Sequence, residues 1–191
     1  MKRVSTIKIT ITALCAVINI VGAYIALTLR LPIYLDSIGT ILSSALFGPA
    51  LGGLTACISG IFSGVTSDVY SLYFIPAGMI TGLISGFLFR TSWFRKWKLP
   101  LAVLFLTVPG TIVSSCITAF VFAGVTSSGS SALVQILHQI GFSMVVSAFI
   151  VQILMDYLDR LITVVIVSSL LSRLDGWLKT GMNGRKSNGA L

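Results

Sequence analysis

The sequence predicts an all-α integral membrane protein, a six-span helical bundle with outer-face loops and one extra outer or re-entrant helix before the last span. Three observations predict it. Of 191 residues, 55% are hydrophobic and only 9% charged, against about 25% charged in a soluble domain. The mean hydropathy is +1.01. The remaining charges are clustered: thirteen Lys and Arg stand against five acidic residues, all of them Asp. An ordinary soluble fold or a nucleic-acid binder would have no polar face on such a chain, and disorder fails on hydrophobicity.

Apolar stretches run at 6–29, 33–47, 50–65, 72–89, 99–123, 132–155 and 161–178. Charge decides how many cross, at ~20 residues per span. Basic residues gather as Lys2, Arg3 and Lys8, then Arg90, Arg95, Lys96 and Lys98, then Arg173, Lys179, Arg185 and Lys186. The positive-inside rule puts all three clusters in the cytoplasm, so an even number of crossings separates each from the next. Four stretches between the first two clusters satisfy this; three between the second and third do not. The stretch 132–155 carries Gln135, His138, Gln139, Ser143, Ser147 and Gln152, and follows the flexible run 126–131. It is therefore expected on the outer face or as a re-entrant helix. The stretches 33–47 and 50–65 are short, with Gly48-Pro49 between them, and predict a hairpin of short spans or a re-entrant pair. The first stretch is too long for a signal-peptide core and lacks a small-residue cleavage site. One membrane-embedded domain over 1–178 and a basic cytoplasmic tail over 179–191 result, in a multi-pass chain with both termini inside.

Small residues recur at helical spacing: Gly78, Gly82 and Gly86; Gly60 and Gly64; Thr12 and Ala16; then Gly22 and Ala26. This spacing lets helices approach closely in lipid. It serves packing within the bundle or a surface for another membrane subunit, most plausibly on the first three spans. Cys15, Cys57 and Cys116 have no metal-type spacing and are expected to be buried, inert thiols. No 20–50-residue repeat supports an inverted-repeat transporter.

Recognisable catalytic signatures are absent from the sequence. There is no GxxxxGK[ST], no HExxH and no GxSxG, and His138 is the single histidine. Asp156 and Asp159 share a helix face, either as a carboxylate pair or as an N-terminal cap with Arg160 as counter-ion. Asp36, Asp68, Asp156 and Asp159 all fall on the predicted outer side with Arg30 and Arg160, and only Asp175 falls inside. The outer side is where a site is expected. Tyr34, Tyr70 and Tyr73 serve there as interfacial aromatics or as stacking surfaces. Gln135, His138 and Gln139 share one face, solvated or ligand-facing. Asn19, mid-way along the first span, is expected to bond to a neighbouring helix. Such an inventory suits a small polar ligand.

These residues resemble the substrate-binding subunits of bacterial energy-coupling factor (ECF) vitamin transporters over 4–178. The resemblance rests on Leu31-Pro-Ile-Tyr-Leu-Asp-Ser-Ile-Gly39, on Gly48-Pro49 with Gly52-Gly53, and on Asp156-Tyr-Leu-Asp159-Arg160-Leu-Ile-Thr-Val-Val165. Thr12-xxx-Ala16 and Gly22-xxx-Ala26 stand where the family carries an Ala-xxx-Ala pattern, and Arg160 where related members often have Lys. The resemblance implies a substrate-specific subunit in the bacterial plasma membrane that is not an enzyme. It would capture a vitamin from outside, dock on a transmembrane coupling subunit with two cytosolic ATPases, and tip over to release the ligand inwards. This chain then carries no cofactor or metal; its partner subunits use ATP. The implied ligand residues are Tyr34, Asp36, Asp68, Tyr70, Tyr73, His138, Gln139 and Arg160, and the docking residues Thr12, Ala16, Gly22, Ala26, Gly60 and Gly64. Pantothenate is the first candidate ligand, with Arg160 or Arg30 for its carboxylate. A hydroxymethylpyrimidine or pyridoxine-type ligand stacking on tyrosine is the competitor. Rival classes are a self-sufficient secondary carrier and an intramembrane enzyme using Asp156, Asp159 and His138.

Overall fold

The structure, a computed structural model, describes residues 6–91, 93 and 97–187, with side chains described through 173. Lys2, Arg3, Arg95 and Lys96 lie outside the described residues, and so do the side chains of Asp175, Lys179, Arg185 and Lys186. Among the described residues there are seven helices and no strand: α1 Thr6–Thr28, α2 Ile38–Phe47, α3 Pro49–Thr66, α4 Tyr70–Arg90, α5 Leu99–Phe120, α6 Ser131–Gln139 and α7 Met144–Ser187. The helices α1, α3, α4 and α5 are long and apolar enough to cross a membrane. Large apolar side chains such as Leu14, Val21, Phe62 and Phe105 point outward, while many interior positions hold Ser, Thr, Gly or Ala. That is the pattern of a bundle surrounded by lipid, where small residues and interhelical hydrogen bonds hold helices together.

Two stretches fold differently from the sequence expectation. The expected span 33–47 is helical only from Ile38, and α2 has 10 residues. At 1.5 Å per residue it measures about 15 Å, half a hydrocarbon core. Residues 29–37 instead descend as irregular chain beside α1. Gly22 of α1 abuts the Leu35 carbonyl, and Gly39 abuts the Cys15 carbonyl; a Cβ at either glycine would strike that oxygen. The turn between α2 and α3 is as the sequence predicts. Gly48 has φ 100°, open only to glycine without strain, and Pro49 starts α3.

The stretch 132–155 is not one helix. It breaks over residues 140–143, where Gly141 has φ 111°, into the short α6 and the beginning of α7. The latter runs unbroken for 44 residues. Asp156 and Asp159 are therefore deep inside a helix rather than at its N-terminal cap.

The glycine-rich faces join α3 to α4. Gly82 lies against the Gly52–Gly53 backbone, Gly86 against Gly48 and Pro49, and Gly78 against Ala56. The residues expected to dock a partner have the same use. Thr12, Ala16, Ala26 and Gly64 are buried, Gly60 meets Ile75, Gly64 meets Leu72, and Gly22 meets Leu35. Gly22 and Gly60 stay partly exposed.

The interior is divided along the helices. Ile41, Leu88, Val103, Leu106, Val164 and Val167 form an apolar core, at the end of the bundle where α4 stops at Arg90 and α5 begins after Lys98. Toward the opposite end, where residues 29–37, 67–69 and 121–130 converge, the same helices surround a cavity. One end is sealed and the other is open.

Candidate ligand-binding site

The cavity encloses about 100 Å³ and opens at its mouth. Its wall on α5 is Thr107, Gly110, Thr111 and Ser114, and on α4 it is Ser71, Phe74, Gly78 and Thr81. The spacing of three and four residues puts each set on one helix face. Asn19 of α1 and Ser59 and Ser63 of α3 complete one side; Gln152, Asp156 and Arg160 of α7 form another. Tyr34, Asp36 and Ser37 enter from the connecting segment, and Asp68 and Ser127 close in at the rim.

Three hydrogen-bond systems fix this shape. Asn19 is buried, and its Nδ2 donates to Thr40 Oγ1 at 2.8 Å and Ser59 Oγ at 3.2 Å. Its Oδ1 accepts from the backbone N–H of Gly39 at 2.7 Å and Thr40 at 3.3 Å. One side chain thus binds α1 to α3 and satisfies two N–H groups that the start of α2 leaves without helical partners. Between α5 and α7, Gln152 accepts from Ser115 at 2.7 Å and donates to Thr118 at 2.7 Å. One turn on, Asp156 accepts from Thr111 at 2.7 Å.

The third system centres on Asp159. Its Oδ1 accepts the Leu35 N–H at 3.0 Å, while Oδ2 accepts from Ser37 Oγ at 2.9 Å and Arg160 Nη1 at 2.6 Å. A carboxylate on α7 therefore holds the irregular segment 29–37 in place, including Leu35 with its φ of 52°. Irregular backbone inside a membrane protein persists only where protein satisfies it or where it lines a cavity. Here both conditions hold.

At the rim, Asp68 accepts from Ser127 Oγ at 2.6 Å and from the Tyr70 N–H at 3.3 Å. Gly129 packs on the backbone of Arg30 and Leu31, so three connections meet at the mouth. A smaller cavity of about 50 Å³ shares Tyr34, Asp36 and Asp68 with the main one. Asp36 is accessible from the cavity. No side chain among the described residues donates a hydrogen bond to it.

Of the eight residues singled out for ligand contact, the cavity brings together Tyr34, Asp36, Asp68 and Arg160. The other four lie outside its lining. Tyr70 and Tyr73 pack edge-on against Phe122, with ring centroids 4.7 Å and 5.0 Å apart. His138 is exposed and bonds through Nδ1 to the Phe142 carbonyl at 2.9 Å. Gln139 is exposed at the end of α6. Arg30 is exposed as well and does not line the cavity. Sequence reasoning missed the hydroxyl wall of α5 and the aromatic face of Phe74. Thr107, Thr111 and Ser114 are polar residues spaced along an otherwise apolar span, and that spacing was the available signal.

No group of three His, Cys, Asp or Glu among the described residues is placed to hold a metal ion. What the arrangement offers is an open-mouthed chamber with many hydrogen-bond partners, the aromatic side chains of Tyr34 and Phe74, and fixed charges. Every residue of its lining falls within residues 7–171, the part of the chain matched by the family model for the ECF transporter, substrate-specific component. The chain belongs to this family. No curated protein and no solved structure matches it. As an ECF substrate-specific component, it is a membrane subunit of an importer whose other parts are a transmembrane coupling subunit and ATPases. The family is one of transport components rather than enzymes.

Proposed function

We propose that this ECF component captures a vitamin or vitamin precursor from outside the cell in the cavity among α1, α3, α4, α5 and α7, and delivers it inward when docked on the coupling subunit. The observation that carries the reading is the one-ended interior: a polar chamber open between loops, sealed below by the apolar core around Val103 and Val164. A chamber closed at one end binds but does not conduct, so release needs a movement of the whole body, driven by the ATPases. The orientation follows from charge, with Arg90 and Lys98 at the sealed end facing the cytoplasm. In this reading six segments span the membrane of a bacterial cell: α1, α2 together with residues 29–37, α3, α4, α5 and α7, with both termini inside. The Asp156–Arg160 charges of α7 are tolerated because they face the cavity and one another.

Pantothenate, placed first by the family resemblance, would set its carboxylate on Arg160. A hydroxymethylpyrimidine or pyridoxine-type ligand would stack on Tyr34 or Phe74 and bond through ring nitrogens and hydroxyls. The test is a thermal-shift screen of the purified chain in detergent against B vitamins and their precursors. One compound at 100-fold excess over its Kd is expected to add about 2.7 kcal/mol to stability. Failure of every compound to move the melting temperature would remove vitamin capture as the function.

A further inference from the structure

Resting on that reading, we infer that the cavity selects a ligand that presents a protonated or hydrogen-donating nitrogen, an amine or amino-substituted ring, and disfavours a ligand carboxylate. The charges on the wall set this preference. Asp36, Asp68 and Asp156 line the cavity with one cation, Arg160, so the lining sums formally to −2 when ionised. Asp159, directly behind, brings the group to −3.

The single guanidinium is already engaged. Arg160 donates to Asp159 at 2.6 Å, with Asp156 and Asp36 also acting on it. An incoming carboxylate would be a fourth anion around one cation, in a chamber whose low-dielectric walls strengthen every repulsion. Arg160 keeps further N–H groups for an uncharged ligand oxygen, but its charge is more than balanced.

The acceptors are in the opposite condition. Asp36 receives no side-chain donor among the described residues and opens onto the cavity. Asp156 has one oxygen bonded, to Thr111, and the other has no hydrogen-bond donor among them. Asp68, at the rim, is bonded to hydroxyl and amide groups and has no salt bridge among the described residues. A ligand N–H or N⁺–H satisfies these oxygens with charge-assisted bonds. Phe74 and Tyr34 add ring faces on which a cation or heterocycle rests.

Matched probes test this on the full chain in lipid nanodiscs by calorimetry: pyridoxamine against 4-pyridoxate, nicotinamide against nicotinate, and panthenol against pantothenate, with thiamine and 4-amino-5-hydroxymethyl-2-methylpyrimidine as further amino-heterocycles. In any pair that binds, the member without the carboxylate is expected to bind at least about tenfold tighter. Asp36→Asn is expected to weaken an amino-bearing probe about tenfold while the variant still folds, since Asp36 receives no side-chain hydrogen bond among the described residues. Equal or tighter binding of a carboxylate member overturns the inference and leaves vitamin capture standing. An Asp36→Asn variant with unaltered affinity for an amino-bearing probe also overturns it. Absence of binding by every probe removes both.

Discussion

Asp159→Asn is expected to lower stability by about 3 kcal/mol, among the largest effects of any single replacement in this chain. The side chain keeps its shape, so packing is preserved and the loss is electrostatic. Arg160, with only 13% of its side chain exposed, loses the carboxylate at 2.6 Å. Breaking a buried pair costs about 3–5 kcal/mol because the remaining charge is left uncompensated. The lower end applies here, since Asp156 and Asp36 also act on the guanidinium. Segment 29–37 loses part of its tether as well, through Ser37 and the Leu35 N–H. Thermal unfolding in detergent is expected to show the drop, and hydrogen exchange faster opening of residues 29–37. Adding Arg160→Met to the variant is expected to deepen the loss, because Asp156 and Asp36 then lose the cation that faces them. A variant melting with the wild-type chain would mean that Asp159 does not hold the segment.

Gly82→Leu is expected to separate α3 from α4 and to cost about 3 kcal/mol or more, at or beyond the upper end for overpacked sites. A Cβ there would meet the backbone of Gly52 and Gly53, which has no rotamer to yield. The helices must part, and the bond from Ser44 Oγ to the Gly82 carbonyl, 2.7 Å long, is disturbed with them. Gly53→Ala is the control. Its Cβ would meet Leu83 at an ordinary 3.7 Å, so stability should be near that of the parent. The contrast between the two, read from melting temperatures and from assembly with the coupling subunit, separates close backbone packing from mere helix propensity. A Gly82→Leu variant with parental stability and normal assembly would refute the packing role.

The helices legible in the sequence are those bounded by composition. The apolar run 99–123 anticipates α5 and 6–29 anticipates α1 closely, because charge or proline marks their ends. The start of α2 was hidden, since Ile33 and Leu35 are apolar yet non-helical. What holds them out of a helix is Asp159, more than 120 residues away in sequence. The break between α6 and α7 was hidden within a run whose apolarity continues across it; only Gly141 marks the place. At the site, charge and aromatic character pointed to Tyr34, Asp36, Asp68 and Arg160, which the fold does assemble. The same criterion also selected His138 and Tyr73, whose direction depends on local packing that composition does not encode. The small residues of α1 and α3 fit docking and internal packing equally well by spacing, and the fold places Gly22, Gly60 and Gly64 against the chain's own segments.

The central claim is that this chain binds its ligand alone but imports it only with its partners. The direct measurement is uptake of a radiolabelled ligand, identified by the thermal-shift screen, into proteoliposomes holding either this chain alone or the chain with its coupling subunit and ATPases. The account predicts stoichiometric binding and no accumulation for the chain alone, and ATP-dependent accumulation for the full complex. Accumulation by the chain alone, without ATP, would contradict it and identify a self-sufficient carrier.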